Sequence, residues 1–260
     1  MLSNAKLFLL DMDGTLYLGD DVIDGAHEFI RTLEDMQRQY IYLTNNSSRA
    51  GMDYIDRLRK LGFPCEEENI FTSSMATVLY LREKYPNGRV LPVGTAAFCR
   101  ELAQGGIQLV DEDADVVVVG FDTELTYGKL AKAVKYLRRG AAFIAANPDW
   151  VCPMPHNEVL PDCGSICALL TASTGAKPYY IGKPNREMVD IISRKTGIAN
   201  ENIACVGDRL YTDIAVAKNA GAISICVLSG ESSTEDIEAS EVKPDLIFPS
   251  VRELAEAIKG

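Results

Sequence analysis

The sequence predicts an α/β fold, a doubly wound parallel-sheet core whose chain is interrupted by a second α/β domain. Three observations carry this. Short apolar and β-branched runs alternate with helix-period segments along the whole chain. The middle of the chain repeats that alternation over roughly a hundred residues, enough for a domain of its own. Small polar clusters at Asp11, Thr44, Gly182 and Gly207 each follow an apolar run. In a parallel sheet they converge on the edge where such sheets bind ligands.

The elements follow in order. Residues 6–10 read as a buried strand, and Ala26, Phe29, Ile30, Leu33 and Met36 recur at helical spacing, marking an amphipathic helix over 25–39. Residues 40–43 form the next strand, and Tyr54, Ile55, Leu58 and Leu61 line a helix closed by Gly62. The middle gives strands at 89–93, 116–119 and 143–146 and helices at 97–103 and 130–137. The grammar resumes with a strand at 179–181, a helix starting at Pro184 with Met188, Ile191 and Ile192 on one face, and a strand at 203–206. A helix over 213–220, strands at 222–227 and 246–248, and a helix over 251–258 close the chain. The expected division is a discontinuous core, 1–74 and 179–260, and an inserted domain, 75–178. No repeat, low-complexity tract or Gly/Ser-rich linker separates them.

Composition narrows the function. The chain has 260 residues, 47% hydrophobic and 24% charged, with a formal net charge of -11. An acidic surface repels nucleic acid and anionic lipid, which are held through Lys and Arg, so neither is expected as a partner. An anionic substrate would need a local device to overcome that field. The apolar run 7–10 stops at Asp11, too short for a secretory signal or a membrane span. Seven scattered cysteines suit reduced, mostly buried thiols, so the expected location is cytoplasmic.

Four motifs carry chemistry. Asp11-Met12-Asp13-Gly14-Thr15 sets two carboxylates at the end of the first strand, one suited to act as nucleophile and the other to shuttle protons. Alone it could be an ordinary turn. Thr44-Asn45-Asn46-Ser47-Ser48 offers hydroxyl and amide groups for an anion, or caps the next helix. Lys183, in Gly182-Lys183-Pro184-Asn185, sits where a helix is expected to start, an unfavourable place for a cation unless it holds an anion or is simply solvated. Asp208 and Asp213, in Gly207-Asp208-Arg209-Leu210-Tyr211-Thr212-Asp213, suit a hard oxygen-seeking cation such as Mg²⁺, although Asp213 also suits a helix N-terminus. Together these parts meet the demands of phosphoryl transfer, with Lys183 and the metal as the local device.

The set D-x-D-G-T, T-N-N, G-K-P-N and G-D-x-x-x-T-D resembles the haloacid dehalogenase superfamily of phosphohydrolases, over essentially the whole chain. The interval from Asp11 to Thr44 has no room for a domain, whereas that from Thr44 to Lys183 far exceeds one helix and strand. An insertion there resembles subclass IIA, the NagD-like and 4-nitrophenylphosphatase-like enzymes, as do Tyr17, Gly120-Phe121-Asp122, Thr126-Tyr127 and Ala146-Asn147-Pro148-Asp149.

The resemblance implies a Rossmann-like core, a C2-type cap over 75–178, and a Mg²⁺-dependent phosphatase of small phosphorylated metabolites working through an aspartyl-phosphate intermediate. It implies Asp11 as nucleophile and metal ligand, and Asp13 as general acid/base whose backbone carbonyl also binds the metal. Thr44, Asn45, Asn46 and Lys183 bind the phosphoryl group, Asp208 is the second carboxylate ligand, and Asp213 is an outer-shell orienter. A homodimer or higher homo-oligomer through the cap is common among such proteins.

The rivals are weaker. A dehalogenase has no use for Asp13 as an acid, a phosphomutase usually carries its cap at the other insertion site, and an idle phosphometabolite-binding regulator is expected to have lost a motif. A zinc site from Cys152, His156, Cys163 and Cys167 lacks a C-x-x-C pair. His27 reads as a surface or packing residue, and Trp150 as a packing anchor or a substrate platform. His156, Asn157 and Glu158 in the cap loop are candidates for reading the substrate. Pro161-Asp162-Cys163-Gly164 departs from the subgroup's usual Pro-Gly-x-Gly.

Overall fold

The computed structural model describes residues 1–153 and 158–260. His156 and Asn157 lie outside the described residues. The chain runs β1 (Leu7–Leu10), β2 (Tyr17–Leu18), β3 (Asp21–Val22), α1 (Ala26–Asp35), β4 (Gln39–Thr44), α2 (Gly51–Lys60), β5 (Ile70–Thr72) and α3 (Ser73–Lys84). It continues through β6 (Arg89–Val93), α4 (Ala96–Gln104), β7 (Gln108–Leu109), β8 (Val116–Val119), α5 (Tyr127–Leu137) and β9 (Ala142–Ala145). Next come β10 (Val151–Pro153), β11 (Val159–Pro161), α6 (Cys163–Thr174), β12 (Tyr179–Tyr180), α7 (Glu187–Thr196) and β13 (Ile203–Gly207). The last are α8 (Ala215–Ala220), β14 (Ile223–Val227), α9 (Thr234–Ala239), β15 (Leu246–Phe248) and α10 (Val251–Lys259).

Two compact units result: Met1–Thr44, Tyr54–Phe71 and Lys183–Gly260 form the first, and Asn45–Asp53 with Thr72–Gly182 the second. These bounds depart from the expected 75–178 insertion chiefly at 45–53. Long-range hydrogen bonds explain the difference. Ser73 Oγ donates to the Asn45 carbonyl at 2.6 Å, Ser47 Oγ to Asn147 Oδ1 at 3.0 Å, and Thr95 Oγ1 to the Ser48 carbonyl at 2.9 Å.

The first unit is built on a sheet ordered β15-β14-β13-β1-β4-β5. β1 pairs in parallel with both β13 and β4, with Leu10 opposite Val206 on one side and Tyr42 on the other. All four β1 residues are buried, as the apolar run requires of a strand covered on both faces. Phe8, Leu10, Phe29, Leu33 and Leu254 share one core, with Phe8 and Phe29 edge to face at 6.4 Å. The chain leaves β1 toward β4 on one side and returns to β13 on the other, so the switch in strand order falls at β1.

The second unit has a sheet ordered β12-β9-β8-β6-β7, paired in parallel throughout. Val117, Val119, Phe143, Ile166, Cys167 and Leu170 lie in its core. α6 buries Ile166, Cys167 and Leu170 along one helix. Its buried Cys163 donates to the Val119 carbonyl at 3.3 Å, and all seven cysteines are free thiols. Among the described residues no helix is long and apolar enough to cross a membrane.

Two expectations need correction. The helix predicted to open at Pro184 opens at Glu187, because Asn185 Oδ1 accepts the Glu187 N–H and holds the chain in a turn. The helix expected over 213–220 is split into a π-turn, Leu210–Ile214, and α8. β5, α3, the β2–β3 hairpin and α9 lay outside the periodic signals.

Candidate active site

Asp11 follows β1 directly, and its N–H donates to the Val206 carbonyl at 2.9 Å, placing it beside the end of β13. Met12 turns into the core at 2% exposure, while Asp11 is half-buried and Asp13 is exposed. Thr44 ends β4, the neighbouring strand, and is half-buried. Asp208 follows β13, and Asp213 sits in the π-turn after it. A π-turn widens the backbone spiral and is frequent at functional sites.

Lys183 joins these elements. Its ammonium donates to Asp11 Oδ1 and to Asp213 Oδ1, both at 2.6 Å, and the residue is 3% exposed. Burial alone would pull its pKa down, but Asp11 and Asp213 outweigh that and raise it, so the cation is locked in. Because α7 opens four residues later, a helix dipole does not explain this lysine; the two carboxylates do.

Burial and the nearby Asp213 charge push Asp11 well above the usual carboxylate range, against the pull of Lys183. Burial, then Asp213, pushes Asp208 up to about 6. Ligating oxygens of Asp11, Asp208 and Asp213 all lie within 4.8 Å of one another. Asp208 is clamped: Oδ2 accepts the Glu231 N–H at 2.7 Å, whereas buried Oδ1 has no hydrogen-bond partner among the described residues. Gly14 and Gly230 form its walls, since a Cβ on either would lie 2.3 or 2.0 Å from Oδ2. Ser229 Oγ donates to the Gly14 carbonyl at 2.8 Å and ties that loop to the first motif.

Asp11, Lys183, Asp208 and Asp213 therefore come together in the first unit, with Asp13 and Thr44 at the ends of the adjoining strands. Asn45 and Asn46 belong to the second unit. There the Asn45 amide donates to Asp149 Oδ2 at 3.0 Å, and Asn46 Oδ1 accepts from Ser48 N–H and Oγ. The loop 229–232 and Arg209 escaped sequence reasoning. Only the small residues Ser229 and Gly230 after a strand hinted at a close backbone approach.

Comparison with known proteins identifies the family. The haloacid dehalogenase-like hydrolase family model matches residues 8–108, and a second hydrolase model of that superfamily matches 180–254. The chain is 35% identical to an acid sugar phosphatase of Staphylococcus epidermidis over 248 residues, 95% of each protein. It is 36% identical to one from Staphylococcus aureus over 249 residues, covering 95% of this chain and 96% of that protein. This chain belongs to the haloacid dehalogenase superfamily.

Its branch is the NagD-like subclass IIA. The 4-nitrophenylphosphatase of Thermotoga maritima superposes with a TM-score of 0.95 at 43% identity, covering 99% of this chain and 98% of that one. NagD from E. coli K-12 gives a TM-score of 0.88 at 34% identity, covering 96% and 98%. The α/β fold is that of the superfamily, and as a member of this branch the chain is a phosphatase.

Other sequence candidates take structural places. Trp150 is 63% exposed, so it is not a packing anchor, and Glu158 is exposed as well. His27 packs on Phe63 at 4.6 Å, with Nε2 2.9 Å from the Leu61 carbonyl. Among the described residues, the Asp11–Asp208–Asp213 cluster is the one group able to hold a metal; Cys152, Cys163 and Cys167 form none.

Proposed function

We propose that this phosphatase hydrolyses phosphate monoesters of small metabolites, sugar phosphates foremost and aryl phosphates in vitro, with Mg²⁺ and through an aspartyl-phosphate at Asp11. The observation that carries the reading is Lys183 bridging Asp11 and Asp213 beside an Asp208 oxygen that lacks a partner among the described residues. The donor set is all hard oxygen, and its three clustered carboxylates hold more negative charge than one lysine balances. That chemistry fits Mg²⁺, with Asp11, Asp208 and the Asp13 backbone carbonyl as ligands and Asp213 orienting Lys183. When bound, Mg²⁺ neutralises charge on the phosphoryl oxygens.

The residues then divide the work. Asp11 attacks phosphorus through the oxygen that Lys183 does not hold, forming an acyl-phosphate P–O bond as the ester P–O bond breaks. Asp13 gives its proton to the leaving alkoxide, then takes one from the water that attacks the phosphorylated Asp11 and releases inorganic phosphate. Lys183 balances the charge of nucleophile and phosphoryl group, and the Thr44 hydroxyl donates to a phosphoryl oxygen. Asn45 and Asn46 follow Thr44 directly, and the proposal keeps them as substrate-binding positions on that adjacency.

The second unit is proposed to be the cap. A homo-oligomer formed through it is supported by exposed Trp150, Val151 and Val159 around the β10–β11 hairpin. Seven free thiols support a cytoplasmic setting. The sugar-phosphate preference leans on the acid sugar phosphatases to which the chain is similar. The test is phosphate release from a panel of small monoesters with and without Mg²⁺, for wild type and Asp11→Asn. Mg²⁺-dependent turnover lost in the variant is expected. Folded, metal-loaded protein that turns over no ester would overturn the reading.

A further inference from the structure

Arg209 follows the clamped Asp208, and no step above uses it. Its backbone N–H donates to Asp213 Oδ2 at 3.1 Å, opposite the oxygen held by Lys183. Its guanidinium carries a permanent charge and several donors beside three carboxylates. Burial works against that charge, but Asp11 and then Asp208 outweigh it, so the guanidinium stays charged near the acidic cluster. Left to itself, it would compete with a metal for that cluster.

An ion pair that lacks hydrogen-bond geometry at Nε holds the guanidinium elsewhere. Arg209 Nε lies 2.9 Å from Glu231 Oε2, and the Tyr211 hydroxyl donates to that same carboxylate oxygen at 3.3 Å. Glu231 is also the residue whose backbone N–H fixes Asp208 Oδ2. Glu231 thus holds one oxygen of Asp208 through its backbone and pairs with the adjacent cation through its side chain, while Asp208 Oδ1 has no hydrogen-bond partner among the described residues.

We propose that Glu231 is a positioning residue whose carboxylate holds the Arg209 guanidinium off Asp208, keeping that carboxylate open to a divalent cation. The inference rests on the metal reading of Asp208 given above. Outer-shell partners of metal ligands commonly change metal affinity by about 10- to 100-fold, which sets the size of the expected effect.

The test is direct metal binding by the full chain: Mg²⁺ titration calorimetry, and free Mn²⁺ followed by electron paramagnetic resonance. Wild type, Glu231→Gln, Arg209→Met and the double variant are compared, with Asp208→Asn as the control that loses the site. Glu231→Gln keeps the backbone donor and the side-chain shape, and circular dichroism checks each fold. The single Glu231 variant is expected to bind roughly tenfold more weakly. Arg209→Met binds at least as tightly as wild type, and the double variant recovers toward the wild-type value. Recovery is the decisive readout, because a merely structural Glu231 would leave the double variant as weak as the single one. That result, or unchanged affinity in Glu231→Gln, overturns the inference while leaving the metal reading intact. A wild type that binds neither ion overturns the metal reading, and this inference with it.

Discussion

The two units carry parallel sheets of similar design, yet their carboxyl edges are finished in opposite ways. In the second unit the polar groups around Asn147 and Asp122 partner one another. Asn147 donates to Asp149 Oδ2 and to Asp162 Oδ1, both at 3.0 Å, and its own Oδ1 accepts from Ser47. Asp122 accepts from Lys129 Nζ at 2.8 Å and from the Glu124 N–H at 2.9 Å. In the first unit three carboxylates crowd one lysine, and a buried oxygen of Asp208 has no partner among the described residues. A satisfied network rigidifies, whereas an overcharged one is costly unless a ligand completes it. Of these two edges, the one with charge still to be balanced is that of the first unit, which also carries the proposed nucleophile.

The harshest way to break that contrast is to remove the proposed nucleophile. Asp11→Asn is expected to lower kcat by more than about 10³-fold, with the thermal midpoint unchanged or raised because one crowded charge is gone. Phosphate release and a melting curve on the same preparation check both halves.

Removing the cation from each unit sharpens it. Lys183→Met leaves buried carboxylates uncompensated and is expected to cost about 3–5 kcal/mol as well as activity. Lys129→Met is expected to cost less, about 1–3 kcal/mol, because Lys129 is partly solvated, and the folded fraction keeps its kcat. Urea titration beside turnover separates the cases; a Lys129 variant stable but inactive would erase the distinction.

Completing the first unit should stabilise it. Mg²⁺ at about a hundred times its dissociation constant is expected to add about 2.7 kcal/mol by mass action. Calorimetric melting should show the gain in wild type and none in Asp208→Asn.

The smallest effect tests a strained carboxyl of the second unit. Burial pushes Glu101 up to about 7 although the Gly51 N–H pulls the other way. A raised carboxyl pKa means the fold prefers the protonated form. Its contribution is therefore full at low pH and is lost as pH climbs from the unfolded value through about 7. Glu101→Gln should raise stability at pH 8 by about 2 kcal/mol or less and leave it unchanged at pH 4. Melting curves across that range would show the crossover.

Much of the fold was legible because its signals are local. The apolar runs that became β1, β4, β13 and β14 carry their own period, and Gly62 closes its helix as turn chemistry requires. α3 hid because its apolar residues are spread around the helix and its first turn, Ser73 and Ser74, is buried polar sequence. Helix α7 began late because the Asn185 side chain competes with the helix for the backbone. Residues 45–53, expected in the core, group with the second unit because their partners, Asn147 and Ser73, lie far along the chain.

The sequence by itself determined the inventory: two aspartates after a strand, a threonine after its neighbour, a lysine and two further aspartates at strand ends. Period and turn chemistry act over a few residues, so one strand and its loop suffice to read them. Only the tertiary structure decided which of these groups meet. Placing β1 between β13 and β4 brings Asp11 to a lysine 172 residues away and Gly14 to a serine 215 residues away. The same packing made Asp208 a clamped, half-partnered carboxylate, because its walls come from two separate loops that strand order alone sets side by side.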